Sequence, residues 1–145
     1  MARTGSTAET STINRVTKSV SALDVSGYCR DLESWPHSWM GWEKDLPPGE
    51  RLVDCFRLFI QHVASSGFSG KTIRRHVDNL WLLGGEIIRD LNQTPSLRKV
   101  DVERLLKDRI HEDGGPLIPH GSEEEQRSFD STCRKLHRFL AQAHT

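Results

Sequence analysis

The sequence predicts an all-α fold of about five helices, packed as a compact orthogonal or bundle-like domain. Apolar residues recur at helical spacing in several separate stretches, and no segment alternates polar and apolar residues over a useful length. At 145 residues, the chain is long enough for one domain whose core needs neither disulfide nor metal. A hydrophobic fraction of 35% and a charged fraction of 28% are typical of a soluble, folded protein.

The first 27 residues differ in composition from the rest, and we expect them to form a disordered N-terminal arm. Ser and Thr are frequent in residues 1–27, large apolar residues are few, and no helical period is sustained. Residues 28–145 then make a single helical domain. An Arg- and Ser-rich start with few acidic residues is also typical of a transit peptide, which is the less favoured interpretation.

A tryptophan-rich segment opens the domain. Pro36 suits the first turn of a helix, and Trp35, Trp39 and Trp42 follow spacings of four and three, which puts them on one side of a short helix. Packing on the apolar surface of the domain is the favoured interpretation of these three rings, called here the tryptophan patch. The alternative is an exposed platform for nucleobases or a partner protein. Residues 45–49, DLPPG, are expected to break the helix.

Two longer helices are predicted next. Between Glu50 and Ser66 the apolar residues lie at offsets of one, four, seven, eight and eleven, which match one helical face. Pro48 and Gly49 should start this helix, and Gly67 should stop it. The third helix runs from a Ser69 cap to Leu91. Its expected core residues are Ile73, Val77, Leu80, Trp81, Ile87, Ile88 and Leu91.

A glycine pair, Gly84-Gly85, lies in the middle of the third helix. Each glycine costs about 1 kcal/mol relative to alanine in a helix interior, so the pair needs a structural reason. A close helix crossing and a kink are the two candidates. Bulky residues surround the pair, which favours the close crossing.

Two further helices complete the prediction. After a turn at residues 92–96, a short helix is marked by Val102, Leu105, Leu106 and Ile110. Ser122 and Glu125 form a capping box that opens the last helix. Apolar residues keep helical spacing to its end, namely Phe129, Cys133, Leu136, Leu140 and Ala143.

Charge is balanced overall, with twenty basic and twenty acidic residues, so nucleic-acid binding would have to rest on a local patch. One such patch lies in the first turns of the third helix. Lys71, Arg74 and Arg75 turn away from its apolar face and add to the positive end of the helix dipole, at a small cost in stability. Backbone amides and cations together are what phosphate groups bind. For these cations taken alone, a solvated helix face is the favoured interpretation and a phosphate contact is the alternative.

A second basic cluster lies on the last helix. Arg127, Arg134 and Arg138 follow spacings of seven and four and so share one side, and Lys135 lies between them in sequence. Two cationic helix faces could line one groove, although sequence does not say whether they are adjacent. Arg134 and Arg138 are therefore candidate phosphate contacts beside Lys71, Arg74 and Arg75.

Other site chemistries find little support. Residues 70–72, GKT, match the end of a phosphate-binding loop, but Ser65 stands where its first glycine belongs and a helix precedes it. Cys133 and His137 lie one turn apart and supply only two metal ligands, so a buried thiol is favoured. No catalytic motif is present. We therefore expect no enzymatic activity, no cofactor and no metal.

The three cysteines, Cys29, Cys55 and Cys133, form no CxxC pair, which indicates a reducing environment. No apolar run has the length of a membrane span, and no secretory signal is evident. The expected location is the cytoplasm.

Residues 56–83, FRLFIQHVASSGFSGKTIRRHVDNLWLL, resemble the core-binding, SAM-like helical domain of tyrosine recombinases. An apolar helix, a short Gly-Ser turn, Lys-Thr-Ile and a long helix follow in the same order over a fifth of the chain. In that family the domain clamps duplex DNA beside a separate catalytic domain. The motifs of that catalytic domain are missing, since there is no HxxR and the one tyrosine, Tyr28, lies upstream. The resemblance implies DNA binding without recombination. The segment is also similar to short uncharacterised bacterial proteins.

Two functions follow as expectations. The favoured one is a small, non-catalytic helical protein that binds DNA through a cationic helix face and is linked to a mobile element or to regulation. The alternative is a protein-interaction module, an inhibitor or adaptor, that uses the tryptophan patch. Neither expectation involves a membrane or a small-molecule substrate.

Overall fold

The computed structural model describes residues 25–143, and in that range it contains five α-helices and no strand. The all-α prediction is confirmed. The helices are α1 Trp35–Trp39, α2 Leu46–Ala64, α3 Gly70–Gln93, α4 Val102–Arg109 and α5 Glu123–Ala143. Short 3-10 turns lie at Val25–Gly27, Leu32–Ser34, Glu43–Asp45 and Pro95–Lys99.

Most of the predicted N-terminal arm, residues 1–24, lies outside the described residues. Its last three residues are different, because Val25–Gly27 form a 3-10 turn and the Val25 side chain is buried in the core. The prediction that residues 25–27 belong to a disordered arm is therefore wrong. An apolar side chain that enters the core fixes the backbone around it, whatever the composition of the preceding segment.

Helix α3 is central to the domain, because it packs against α1, α2, α4 and α5. The expected core residues of α3 are buried with one exception, Trp81, which is 38% exposed. The facing side of α2 contributes the large side chains of the core, Leu52, Phe56, Phe59, Ile60 and Val63. The core is thus built around one long helix, and its apolar faces are those that the helical periodicity predicts.

Helix α2 begins at Leu46, earlier than predicted. Pro47 and Pro48 lie in its first turn, where the missing N–H groups cost no helical hydrogen bond. The predicted break at residues 45–49 is therefore wrong. The chain leaves helical geometry at Met40 instead, whose backbone is extended, and α1 ends at Trp39.

The predicted caps of the longer helices are confirmed. The Ser69 hydroxyl accepts a hydrogen bond from the amide of Thr72 at 3.2 Å, and α3 begins at the next residue. Gly67 has a φ of 86°, the left-handed conformation typical of a helix stop. At the start of α5, Ser122 and Glu125 exchange two hydrogen bonds, of 2.8 and 3.0 Å, which is the reciprocal pattern of a capping box.

The glycine pair in α3 marks a close approach, as predicted, and the group that approaches is the Trp39 indole. A Cβ atom placed on Gly84 would lie under 3.0 Å from three atoms of that ring. Trp39 Nε1 donates to the Trp81 carbonyl, and Trp81 Nε1 donates to Ser38 Oγ, so two hydrogen bonds join α1 to α3 beside the ring. Trp39 also packs edge-on against Phe56 of α2. Gly84 therefore lets one ring join three helices.

Replacement of Gly84 by alanine should destabilise the fold, because the new methyl group overlaps the Trp39 ring. We expect a loss of about 1–3 kcal/mol in the free energy of unfolding. The matched control is Gly85→Ala, where a Cβ would lie 3.5 Å from the same ring, an ordinary contact. That variant should be neutral or more stable by up to about 1 kcal/mol, because alanine favours the helix. Urea unfolding of both variants provides the measurement, and equal effects would contradict the close approach.

Candidate nucleic-acid interface

The start of α3 presents three cations to solvent. Lys71, Arg74 and Arg75 are exposed, and no ion pair within residues 25–143 includes any of them. The first amides of a helix have no partner within the helix, and Ser69 satisfies the one at Thr72. The Arg74 side chain folds back over the helix end, and its Nη2 would lie 3.3 Å from a Cβ placed on Gly70. Amides and unneutralised cations therefore meet at one helix end.

Helix α5 packs beside this part of α3 through a polar network. Thr132 Oγ1 lies 2.7 Å from His76 Nδ1 and accepts a hydrogen bond from Asn79 Nδ2 at 2.9 Å. Asn79 Nδ2 also lies within hydrogen-bonding distance of the Ser128 carbonyl and hydroxyl, each at 3.1 Å. His76, Asn79 and Thr132 are all buried. Because buried polar groups must be paired, this network fixes how α5 is rotated against α3.

That rotation determines which cations of α5 lie near α3. Counted from Thr132 at 3.6 residues per turn, Lys135 lies roughly 60° around the helix and Arg138 roughly 120°. Arg134 lies roughly 160° around, on the far side. Its Nη1 is 3.5 Å from the Asp113 carbonyl oxygen, in the loop that precedes α5. The structure thus brings Lys135, not Arg134, toward the start of α3.

Phe68 links the two helices at the surface. Its ring is 41% exposed, packs edge-on against His76, and has Lys135 Nζ 5.4 Å from its centre. A cation over an aromatic face is attracted to it, which holds Lys135 at this end of α3. We call the group Lys71, Arg74, Arg75 and Lys135 the cationic surface.

The pKa of His76 reflects the burial and the positive charge of this region. Burial lowers its pKa to about 4, and the positive charges of Arg75 and Lys135 act in the same direction. The contacts agree with this, because Lys135 lies over the Phe68 ring and that ring packs against His76, which follows Arg75 in α3. In either neutral tautomer, Nε2 has no hydrogen-bonding partner within the part of the chain that the structure describes. The imidazole is thus a neutral, buried group beneath a positively charged surface.

The tryptophan patch is not an exposed platform. Trp35 is buried at 3% exposure, and Trp39 lies against Gly84. Trp42 is beyond the end of α1, so the three rings do not share one side of a helix. Trp42 alone is half exposed, at 49%, and its Nε1 donates to Asn92 Oδ1. The packing interpretation is thus correct for two rings, and the prediction of a three-tryptophan interaction patch is wrong.

A second polar centre lies at the other end of α3, around the fully buried carboxylate of Asp45. Its oxygens accept hydrogen bonds from the amides of Gly41 and Trp42, at 2.7 and 3.3 Å, and from Asn92 Nδ2 at 3.1 Å. Arg98 Nη2 completes the set at 2.8 Å. Burial raises the pKa of Asp45, but these donors outweigh burial and hold the pKa below its ordinary value. Asp45 therefore stays ionised and joins three chain segments.

The thiols are poor nucleophiles. Burial raises the pKa of Cys29 and of Cys133 to about 12 and that of Cys55 to about 11, so each is protonated at neutral pH. Within the described part of the chain, no group of three or more His, Cys, Asp or Glu side chains could hold a metal ion. None of the helices between residues 25 and 143 has the length and apolar character needed to cross a bilayer.

Stability should fall as the pH is lowered from about 6.5 to about 4. The unfolded chain protonates His76 near its ordinary pKa of about 6.5, whereas the folded chain does so only near 4, so acid favours unfolding between these values. The loss should reach up to about 3 kcal/mol across the window. Urea unfolding at a series of pH values measures it.

The His76→Asn variant separates this contribution from the titration of carboxylates. We expect a loss of about 1–2 kcal/mol at pH 7, since one polar contact is replaced, and a flatter pH dependence than in the original chain. His37→Gln, at an exposed position, should leave both unchanged. If His76→Asn and the original chain lose stability in parallel toward low pH, His76 is not the buried neutral group described.

Loss of the Asp45 charge should be strongly destabilising. In Asp45→Asn, Arg98 keeps its charge without a carboxylate partner, and we expect a loss of about 3 kcal/mol in thermal or urea unfolding. Asp108→Asn, at an exposed position, should change stability by less than about 0.5 kcal/mol. Because the pKa of Asp45 is lowered by folding, the difference should be present above about pH 4 and vanish as the pH falls through the folded pKa. A similar cost for both variants would contradict the role of Asp45.

Comparison with protein-family models, with curated proteins and with solved structures gives no match to this chain. The likeness of residues 56–83 to the core-binding domain of tyrosine recombinases therefore stays a prediction from those residues.

Proposed function

We propose that this protein binds DNA through the cationic surface at the start of α3. The observation that carries the proposal is the position of Lys135, which α5 holds over the Phe68 ring at the end of α3 where Lys71, Arg74 and Arg75 are exposed. It means that cations from α3 and α5 form one positive region, with no ion pair to neutralise Lys71, Arg74 or Arg75 among the described residues.

Phosphate oxygens are the groups that this surface suits. The positive end of α3 and its first amides favour an anion, and three flexible cations around them can contact successive phosphates. Each phosphate contact releases counterions, so binding should weaken with salt, with a slope of about 0.9 per contact on logarithmic axes. Because the chain is neutral overall, its net charge adds no general attraction for DNA, and binding depends on this local surface. The binding is expected to be local and indifferent to DNA sequence.

The choice of duplex DNA rests on the resemblance of residues 56–83 to a domain that clamps duplex DNA. That resemblance also supports a link to a mobile element or to regulation. Arg134 and Arg138, the other candidate phosphate contacts, take a smaller part in the proposal, because α5 turns Arg134 toward Asp113. Lys135 takes their place as the α5 contact.

Replacement of Lys71, Arg74 and Arg75 by alanine should weaken the binding of a labelled random duplex by about 10-fold or more at low salt. The salt slope should fall by about one for each phosphate that the variant no longer binds. Lys135→Ala should weaken binding in the same manner, and Arg134→Ala should have a smaller effect. Fluorescence anisotropy across a salt series measures both quantities.

The control variant also removes three positive charges, but at positions far from the cationic surface. Arg51, Lys99 and Arg104 are exposed and lie toward the other end of α3, a helix of 24 residues and so about 36 Å in length. Their replacement by alanine should leave the salt slope unchanged. If this control weakens DNA binding as much as the α3 variant, or if the α3 variant binds as before, the proposal fails.

A further inference from the structure

A small cleft opens at the end of α3 opposite the cationic surface. Its volume is about 100 Å³. The apolar part of its lining comes from the start of α2, the end of α3, the turn before α4 and α4 itself, through Pro48, Leu91, Val100, Val102 and Leu105. Of these side chains, Val100 is the exposed one, at 37%. The cleft therefore has an apolar floor and is reached from solvent beside Val100.

The rim of the cleft is positively charged. Lys44, Arg51 and Arg98 line it, and no carboxylate does. Lys44 and Arg51 take part in no ion pair within residues 25–143, whereas Arg98 is held by Asp45. Lys99 follows Arg98 in the chain and is exposed. An apolar floor beneath unneutralised cations is complementary to an apolar group with negative charges beside it.

An exposed aromatic ring stands next to this rim. Trp42 lies with Lys44 Nζ 4.1 Å and the Arg98 guanidinium carbon 5.5 Å from the centre of its ring. The hydrogen bond of 2.7 Å from its Nε1 to Asn92 Oδ1 holds the ring in place. Asn92 and Arg98 are both fixed by Asp45. Because little side-chain freedom is left to lose, Trp42 is prepared for contact with a partner.

The size of the cleft indicates what enters it. Sites for small-molecule ligands usually measure about 300–1,000 Å³, so this cleft is too small for a typical metabolite. One apolar side chain, with its neighbours in the sequence lying across the rim, matches the volume better. Nucleic acid fits less well, because phosphates would meet the cations and leave the apolar floor unfilled.

We propose that the surface formed by Trp42, Lys44, Arg51, Arg98 and Val100 docks an acidic peptide segment of a partner protein, with one apolar side chain inserted in the cleft. Carboxylates next to that side chain meet Lys44 and Arg51, and the peptide packs against the Trp42 ring. This docking surface is separate from the cationic surface, since the two lie at opposite ends of α3. It therefore holds or fails independently of DNA binding.

Selection of random linear peptides displayed on phage, with the full chain as the target, tests the proposal. Enriched peptides should carry acidic residues around one large apolar residue. In titrations followed by amide and indole NMR signals, such a peptide should shift Val100 and the Trp42 Nε1–H. Replacement of its apolar residue by serine should weaken binding by about 10-fold or more. This last comparison uses the original protein and so does not depend on the folding of any variant.

Protein variants give a second readout. Val100→Asp places a carboxylate beside the rim cations, as the partner would, and should reduce peptide affinity by about 10-fold. Leu117→Asp is the matched control, an exposed apolar position outside the cleft, and should bind as the original chain does. The proposal is overturned if no peptide is enriched, or if enriched peptides lack acidic residues. Unchanged binding to Val100→Asp, or a DNA duplex that displaces the peptide from the same residues, also overturns it.

Discussion

The burial of α3 is the constraint on which the rest of the structure depends. Four helices pack around this one, and its middle is closed by the Trp39 ring against Gly84. Polar side chains of α3 that face its neighbours must then find partners inside the protein. They do so near both ends, where His76 and Asn79 meet Thr132 and where Asn92 meets Asp45. Each polar centre fixes a different neighbouring element.

The two proposed surfaces follow from these two centres. At the start of α3, the contact with Thr132 sets the rotation of α5 and so brings Lys135 beside the exposed cations of α3. At its end, Asp45 holds Arg98 and Asn92, and through them orients Trp42 beside the cleft. In both places a polar group that is buried and does not reach the surface determines which charges and rings face solvent. The buried polar contacts that fix how the helices pack thus also fix the composition of both proposed surfaces.

Local patterns in the sequence predicted the helices well, because burial of one face imposes a period that can be read directly. The Ser69 cap and the Ser122–Glu125 capping box were also predictable, since such caps join residues only three positions apart in the sequence. The start of α2 was not, because Pro47 and Pro48 are compatible both with a break and with a first helical turn. Trp42 was placed on the wrong element for a related reason: the end of α1 depends on packing rather than on spacing.

The proposed site was less predictable than the fold. The exposure of Lys71, Arg74 and Arg75 follows from their position on α3, but the choice between Arg134 and Lys135 depends on how α5 is rotated against α3. That rotation comes from a contact between residues 56 positions apart, His76 and Thr132, and no local pattern reveals it. No motif in the sequence marks His76, Asn79 or Asp45 as buried, for the same reason. A polar residue on the expected core side of an amphipathic helix was the one available signal.

The buried, protonated thiol of Cys133 can be used to detect local unfolding of this protein. The loop before α5 covers Cys133 so closely that a Cβ placed on Gly115 would lie 2.5 Å from the Cys133 sulfur. Cys133 is fully buried, so an alkylating reagent reaches its sulfur only when the surrounding segment detaches. The rate of modification at Cys133 would therefore measure the local unfolding of this region, with no label added to the chain.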